Sequence, residues 1–115
     1  MDQDNQPFAL VVRFTVRSGS EAAFDNLVAK TADGIRTREP GTLVYACHRV
    51  EDAPQERIFY ELYTNRAAFE AHETQDHTRH FLAAREPLLE STHVDFLSLA
   101  DGKTPMQSQT SISHG

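Results

Sequence analysis

Between residues 8 and 38 the hydrophobic period of this chain changes, and few folds accommodate that change. From Phe8 to Val16, the apolar residues Phe8, Leu10, Val12, Phe14 and Val16 occupy every second position, with Ala9, Val11, Arg13 and Thr15 between them. That period predicts a β-strand with one strongly apolar face. Residues 19–38 switch to helical spacing through Phe24, Leu27, Val28, Thr31 and Ile35, which predicts an amphipathic helix. Ser18-Gly19-Ser20-Glu21 has capping-box spacing, with Ser18 and Glu21 set to cap one another's backbone amides. Pro40-Gly41 stops the helix, because the residue before proline is driven out of the α region.

The remaining elements follow from the same signals. Leu43–Val50 and Arg57–Tyr63 are rich in β-branched and aromatic residues and read as strands, with Glu51–Glu56 as a polar hairpin loop between them. Asn65 is a good N-cap for a short helix, Arg66–Ala71. Thr74 or Asp76 opens a longer helix that brings His77, Phe81, Ala84, Arg85 and Leu88 near one face, and Pro87 ends or bends it. His93–Leu99 is the last strand. The order β-α-β-β-α-α-β predicts an α+β fold, a ferredoxin-like split βαβ with helices on one face of an antiparallel sheet. The second strand carries apolar residues on both faces: Leu43, Tyr45 and Cys47 against Val44, Ala46 and Val50. The face without helices needs cover, and a second copy's sheet is the simplest cover. A homodimer through the sheet faces is therefore expected. The polar ends, residues 1–7 and 100–115, read as flexible tails around a domain of residues 8–99; the second tail can drape over a partner subunit.

Composition closes several alternatives. With 115 residues, the chain has room for one domain of ordinary size. Its formal net charge of −6 argues against a nucleic-acid partner, which requires a basic face. A single Cys excludes an intrachain disulfide and a cysteine-built zinc site. No apolar run approaches the ~20 residues needed to span a bilayer, and the acidic start is unlike a secretory signal. A cytoplasmic protein with no membrane partner is the expectation.

Six histidines invite a metal reading, but the spacing opposes it. His72 and His77 are five residues apart, about 140° around a continuous helix, and Thr74 looks like a break between them. His77 and His80 can share a metal with His72 folded back, yet no carboxylate partner is evident, so no metal is expected. There is no Gly-rich phosphate loop, and Ser18–Ser20 reads as a helix cap, so no nucleotide cofactor is expected. Cys47 lies mid-strand with His48 on the opposite face, the setting of a buried and inert thiol. The segment Glu61–His77 is richer. A strand delivers Glu61 and Tyr63 to one face, and two helical turns bring His72 and His77 back above the sheet. An imidazole near a phenol and a carboxylate can move protons near neutral pH. The same residues can equally serve structure, with Glu61 as a paired acid at an interface and His72 packing a helix junction.

Glu61-x-Tyr63, eight residues, His72, four residues and His77 together resemble the antibiotic biosynthesis monooxygenase (ABM) domain, and Glu39-Pro40-Gly41-Thr-Leu-Val-Tyr45 resembles that family's turn into its second strand. The resemblance covers about residues 8–99. It implies a dimeric α+β barrel, two ferredoxin-like protomers packed sheet to sheet, each with a pocket between sheet and helices. Haem-degrading members carry Asn, Trp and His where this chain has Val12, His72 and about Leu82, so haem degradation is disfavoured. An isomerase branch resembling the enzyme that processes phosphorylated autoinducer-2 shares the two histidines but has a basic cluster before the last strand. This chain has Glu90-Ser-Thr-His93 there, with little charge to hold a phosphate. The remaining branch resembles cofactor-independent quinol and anthrone monooxygenases. It implies a small electron-rich aromatic substrate, O2, no cofactor, His72 or His77 as base, and Tyr63 positioning the substrate oxygen. Glu61, Tyr45 and Phe81 are the expected substrate-binding residues, with Phe14, Phe59 and Tyr60 as further candidate walls. The competing class is a non-enzymatic dimer that binds a small apolar ligand on the same fold.

Overall fold

The structure is a computed structural model that describes residues 5–105. The expected tails therefore lie partly outside the described residues. The elements are β1 (Phe8–Val16), α1 (Glu21–Arg38), β2 (Thr42–Val50), β3 (Ala53–Tyr63), α2 (Arg66–Glu73), α3 (Asp76–Ala84), a 3-10 turn at Glu86–Leu88 and β4 (Leu89–Ser98). The four strands form one antiparallel sheet in the order β2-β3-β1-β4. This is the expected ferredoxin-like α+β arrangement.

Register decides which side chains share a face. Val12 pairs with Phe59 and with Val94, and Tyr45 pairs with Glu61. Paired residues point to the same side of an antiparallel sheet, so Leu10, Val12, Phe14, Tyr45, Cys47, Phe59, Glu61 and Tyr63 all lie beneath the helices. The centre of the core is aromatic. Phe14 meets Phe24 of α1 and Phe59 of β3 edge-on, with ring centroids 5.4 and 5.1 Å apart, a favoured geometry for such rings. Thr31 is the polar interruption on the buried stripe of α1, and its hydroxyl donates to Leu27 O at 3.0 Å.

Three local expectations are corrected. Helix α1 begins at Glu21 with Ser20 as its N-cap, and no side chain caps it there; the Glu21 carboxylate instead accepts from Gly19 N at 2.8 Å. The Ser18 capping box is thus displaced by the turn at Gly19, whose φ is +93°. The Glu51–Glu56 loop contracts to a turn at Glu51-Asp52, with Asp52 at φ 64°. Residues 53–56 continue β3, and Pro54 is tolerated because the β2–β3 register shifts there, leaving no ladder bond for its missing N–H. Tyr60 lies on the face away from the helices, opposite Ala46 and Val11, and cannot wall a pocket beneath them. Asn65 caps α2 as expected, accepting from Ala68 N at 2.9 Å.

The helices leave two apolar regions uncovered. Strand β4 is exposed from Glu90 onward; Val94 (39%) and Phe96 (63%) face the helix side beyond the reach of α2 and α3. On the open face, Ala9, Tyr60, Leu62, Leu97 and Leu99 line a groove of about 230 Å³.

Candidate functional site

The site is assembled where the C-terminal end of α1, the end of β3 and the α2–α3 junction meet. Glu39 follows the last turn of α1 and is buried. Its Oε1 accepts from the Thr42 hydroxyl at 2.7 Å and lies 2.8 Å from His72 Nδ1. Its Oε2 contacts His77 Nε2. The carboxylate that the sequence failed to reveal for the histidines is therefore Glu39, which joins His72 of α2 to His77 of α3. Thr74 is the C-cap of α2, and the helix break there lets both imidazoles converge, which a continuous helix forbids. His77 is further fixed by Gly34: a Cβ there would lie 2.6 Å from His77 Cγ and Nδ1.

Electrostatics follow from this packing. Burial raises the proton affinity of Glu39, but hydrogen bonds from Thr42 and His77 and the adjacent His72 more than offset it and hold the carboxyl below its usual value. A carboxylate at Glu39 must receive protons from its neighbours, so His72 presents Nδ1–H to it and Nε2 faces the other way. On that side, Nε2 is 3.9 Å from Glu61 Oε1, which also accepts from the Tyr63 hydroxyl at 2.5 Å. Burial pushes the Glu61 carboxyl up, against the lowering effects of Tyr63 and His72. The fully buried Tyr63 hydroxyl is pushed up by burial and by the neighbouring Glu61 charge.

A cavity of about 130 Å³ opens beside His72, between sheet and helices. Its walls include Leu10, Val12, Phe14 and Phe59 of the sheet, Phe69 and Phe81 of the helices, and Val94 and Phe96 at its mouth on β4. Tyr45, Glu61, His72, Thr78 and Arg85 supply the polar groups. Of the expected site residues, His72, Glu61, Tyr45 and Phe81 share this cavity. Tyr63 stands behind Glu61 and His77 behind Glu39, and neither is a wall residue. Arg85 was legible in sequence only as a position on the buried side of a helix. Its guanidinium lies 5.1 Å from the Phe14 ring centroid and 5.6 Å from that of Phe81, and its Nε is buried without a hydrogen-bond partner among the described residues. Burial lowers its proton affinity. Cys47 is not among the walls of the cavity, and burial pushes its thiol up to about 11. Among the described residues, no group of three or more His, Cys, Asp or Glu is arranged to hold a metal ion, and no helix is long and apolar enough to cross a membrane.

The family model described as antibiotic biosynthesis monooxygenase matches residues 7–84. The chain belongs to this family. Solved structures agree on the ABM fold. A candidate antibiotic biosynthesis monooxygenase from Caulobacter crescentus superposes with a TM-score of 0.80 at 22% identity, over 86% of this chain and 94% of its own. A Shewanella oneidensis protein gives 0.76 at 28% identity over 83% and 92%, and a Mycobacterium tuberculosis protein gives 0.79 at 25% over 85% and 99%. No curated protein matches the chain. The ABM match ends with the last residue of α3, so Arg85 and β4 fall just beyond it.

Proposed function

We propose that this chain is a cofactor-independent monooxygenase for a small electron-rich aromatic, of the quinol or anthrone kind, with His72 as the base. The observation that carries the reading is the oriented imidazole: Glu39 holds Nδ1, and Nε2 faces an apolar, aromatic-walled cavity. A substrate carbon acid gives its proton to Nε2. The resulting carbanion reduces O2 and combines with it, and the hydroperoxide then loses water to give a ketone. In sum, one ring methylene, of an anthrone or of a quinol's keto tautomer, and one O2 become one ketone carbonyl and one water. The chain's part is to supply a dry site, a base and positive charge near the developing oxyanion. Arg85 is placed to supply that charge. A cavity of about 130 Å³ is comparable with cavities of ~150 Å³ that hold benzene. One ring fits inside, and further rings of an anthrone reach out past Val94 and Phe96. The open sheet face and the uncovered β4 favour a homodimer, whose second copy adds walls at that mouth.

Oxygen uptake with a panel of quinols and the anthrone dithranol tests the reading, with ¹⁸O-labelled oxygen used to mark the ketone. Catalysed uptake above the spontaneous rate, with one labelled oxygen in the product, is expected. The small cavity also favours the non-enzymatic reading, since volumes of ~300 Å³ or more are usual for ligand sites. Binding of these aromatics without catalysed uptake would decide for a ligand-binding dimer.

A further inference from the structure

Two carboxylates flank His72 and their surroundings differ. Glu39 sits behind the imidazole with three donors on its oxygens. Glu61 sits in front, on the cavity wall. Its contacts with Tyr63 and His72 both use Oε1, and the other oxygen takes no part in them. We propose that Glu61 is the catalytic acid of the site: it protonates the peroxide formed from substrate and O2, and is then reprotonated by His72. This rests on the oxygenase reading above and completes its proton balance. The substrate's proton goes to His72 Nε2, a carbon–oxygen bond forms as O2 is reduced to the bound peroxide anion, and Glu61 gives that anion a proton. The imidazolium, 3.9 Å away in the resting site, then returns its Nε2 proton to Glu61. Substrate and O2 have become the hydroperoxide, and both side chains are restored.

The surroundings support the assignment. Burial favours the neutral acid at Glu61, and the Glu39 charge adds to it; Tyr63, His72 and Arg85 act in the opposite direction. Tyr45 lies opposite Glu61 on β2, and Thr31, Glu73 and Thr78 of the helices line the same cavity. Carboxyls driven apart in this way mark separate roles in acid–base catalysis. Tyr63, expected from sequence to hold the substrate oxygen, becomes a positioning residue that sets the Glu61 carboxyl through its 2.5 Å hydrogen bond.

The test separates the two proton transfers, using dithranol with wild type, Glu61→Gln and Tyr63→Phe. Anaerobic exchange of its acidic C–H with deuterated water reads deprotonation by His72 alone; aerobic O2 uptake reads the whole cycle. In Glu61→Gln, which keeps an acceptor for Tyr63 but carries no transferable proton, exchange stays within about threefold of wild type. O2 turnover falls by ~100-fold, the usual scale for losing a general acid. In Tyr63→Phe, loss of the donor to Glu61 moves the alkaline limb of the pH–rate profile to higher pH. Full O2 turnover in Glu61→Gln overturns the assignment, as does loss of exchange and turnover together in a folded variant, or an alkaline limb unmoved in Tyr63→Phe. A wild type that neither exchanges nor consumes O2 overturns the oxygenase reading itself, and this inference with it.

Discussion

Substituting Gly34 by Ala is a sharp test of the packing that fixes the histidines. Gly34 lies inside α1, where helix propensity alone favours Ala by about 1 kcal/mol. The structure reverses that expectation. The new methyl would lie 2.6 Å from His77 Cγ and Nδ1 and 3.0 Å from its Cβ, against a comfortable carbon separation of ~3.5–4 Å. Because Cβ is also crowded, rotating the ring does not relieve the clash; α3 must retreat by about 1 Å to restore that separation. Overpacking of this kind costs ~1–3 kcal/mol, and the retreat strains the His77 bond to Glu39, of a type that contributes ~1.5–3 kcal/mol. Set against the helix gain, Gly34→Ala is expected to destabilise by about 2 kcal/mol, or on the order of 10 °C in Tm. Thermal and urea unfolding of Gly34→Ala, His77→Ala and the double variant close the cycle. Once His77 is truncated, the ring clash is gone and only the 3.0 Å approach to the Cβ of residue 77 remains, so Gly34→Ala should cost at least ~1 kcal/mol less than in wild type. A stabilising Gly34→Ala in the wild-type background, or additive effects of the two substitutions, would show that Gly34 does not hold His77 in place.

Other consequences can be checked in the same preparations. Arg57, almost fully buried, donates to both Asp25 oxygens at 2.9 and 3.0 Å, and this pairing holds the Asp25 carboxyl below its ordinary value. A depressed acid contributes stability above its unfolded pKa and loses it as pH falls through the folded value. Asp25→Asn should therefore cost about 2 kcal/mol at pH 7 and flatten the loss of stability below pH ~4, as urea titrations across pH would show. Cys47, with its thiol near 11, should carry roughly 200-fold less thiolate at pH 8 than a free cysteine of pKa ~8.5; an aromatic disulfide reagent reacting at the free-thiol rate would contradict this. For the proposed homodimer, Leu97→Asp on the open sheet face should shift the mass measured by light scattering from dimer to monomer; a wild type of monomer mass, or a mass unchanged by the substitution, would contradict a dimer through this face.

Much of the fold was legible because it depends on local period and punctuation. The alternation of Phe8–Val16 gave β1 its buried face, Asn65 announced α2, and Pro40-Gly41 ended α1 where it does end. The hairpin was misjudged because Pro54 reads as a loop residue, and only the register shift shows why a strand tolerates it. The site was half legible. Glu61, Tyr63 and His72 are close in the chain, and strand and helix periods suffice to bring them together. Glu39 is 33 and 38 residues from its two partners, a distance closed only by the packing of α1 on α3. A glutamate at a helix end ordinarily reads as solvated, and no periodicity marks this one as buried. Gly34 went unread for the same reason: only the structure shows that its missing Cβ makes room for His77. Tyr63 shows the opposite limit, since strand period puts it on one side with Glu61 but gives neither which face of the sheet that is nor its depth behind Glu61.

The chemistry proposed for the cavity turns on the His72 imidazole acting as its base. Steady-state O2 uptake with dithranol by His72→Ala, beside wild type and His77→Ala and with binding measured separately, addresses that step alone. His72→Ala should lower kcat by at least ~100-fold with affinity changed only a few-fold, whereas His77→Ala, behind Glu39, retains much of the rate. Wild-type kcat in His72→Ala would contradict the role given to this imidazole.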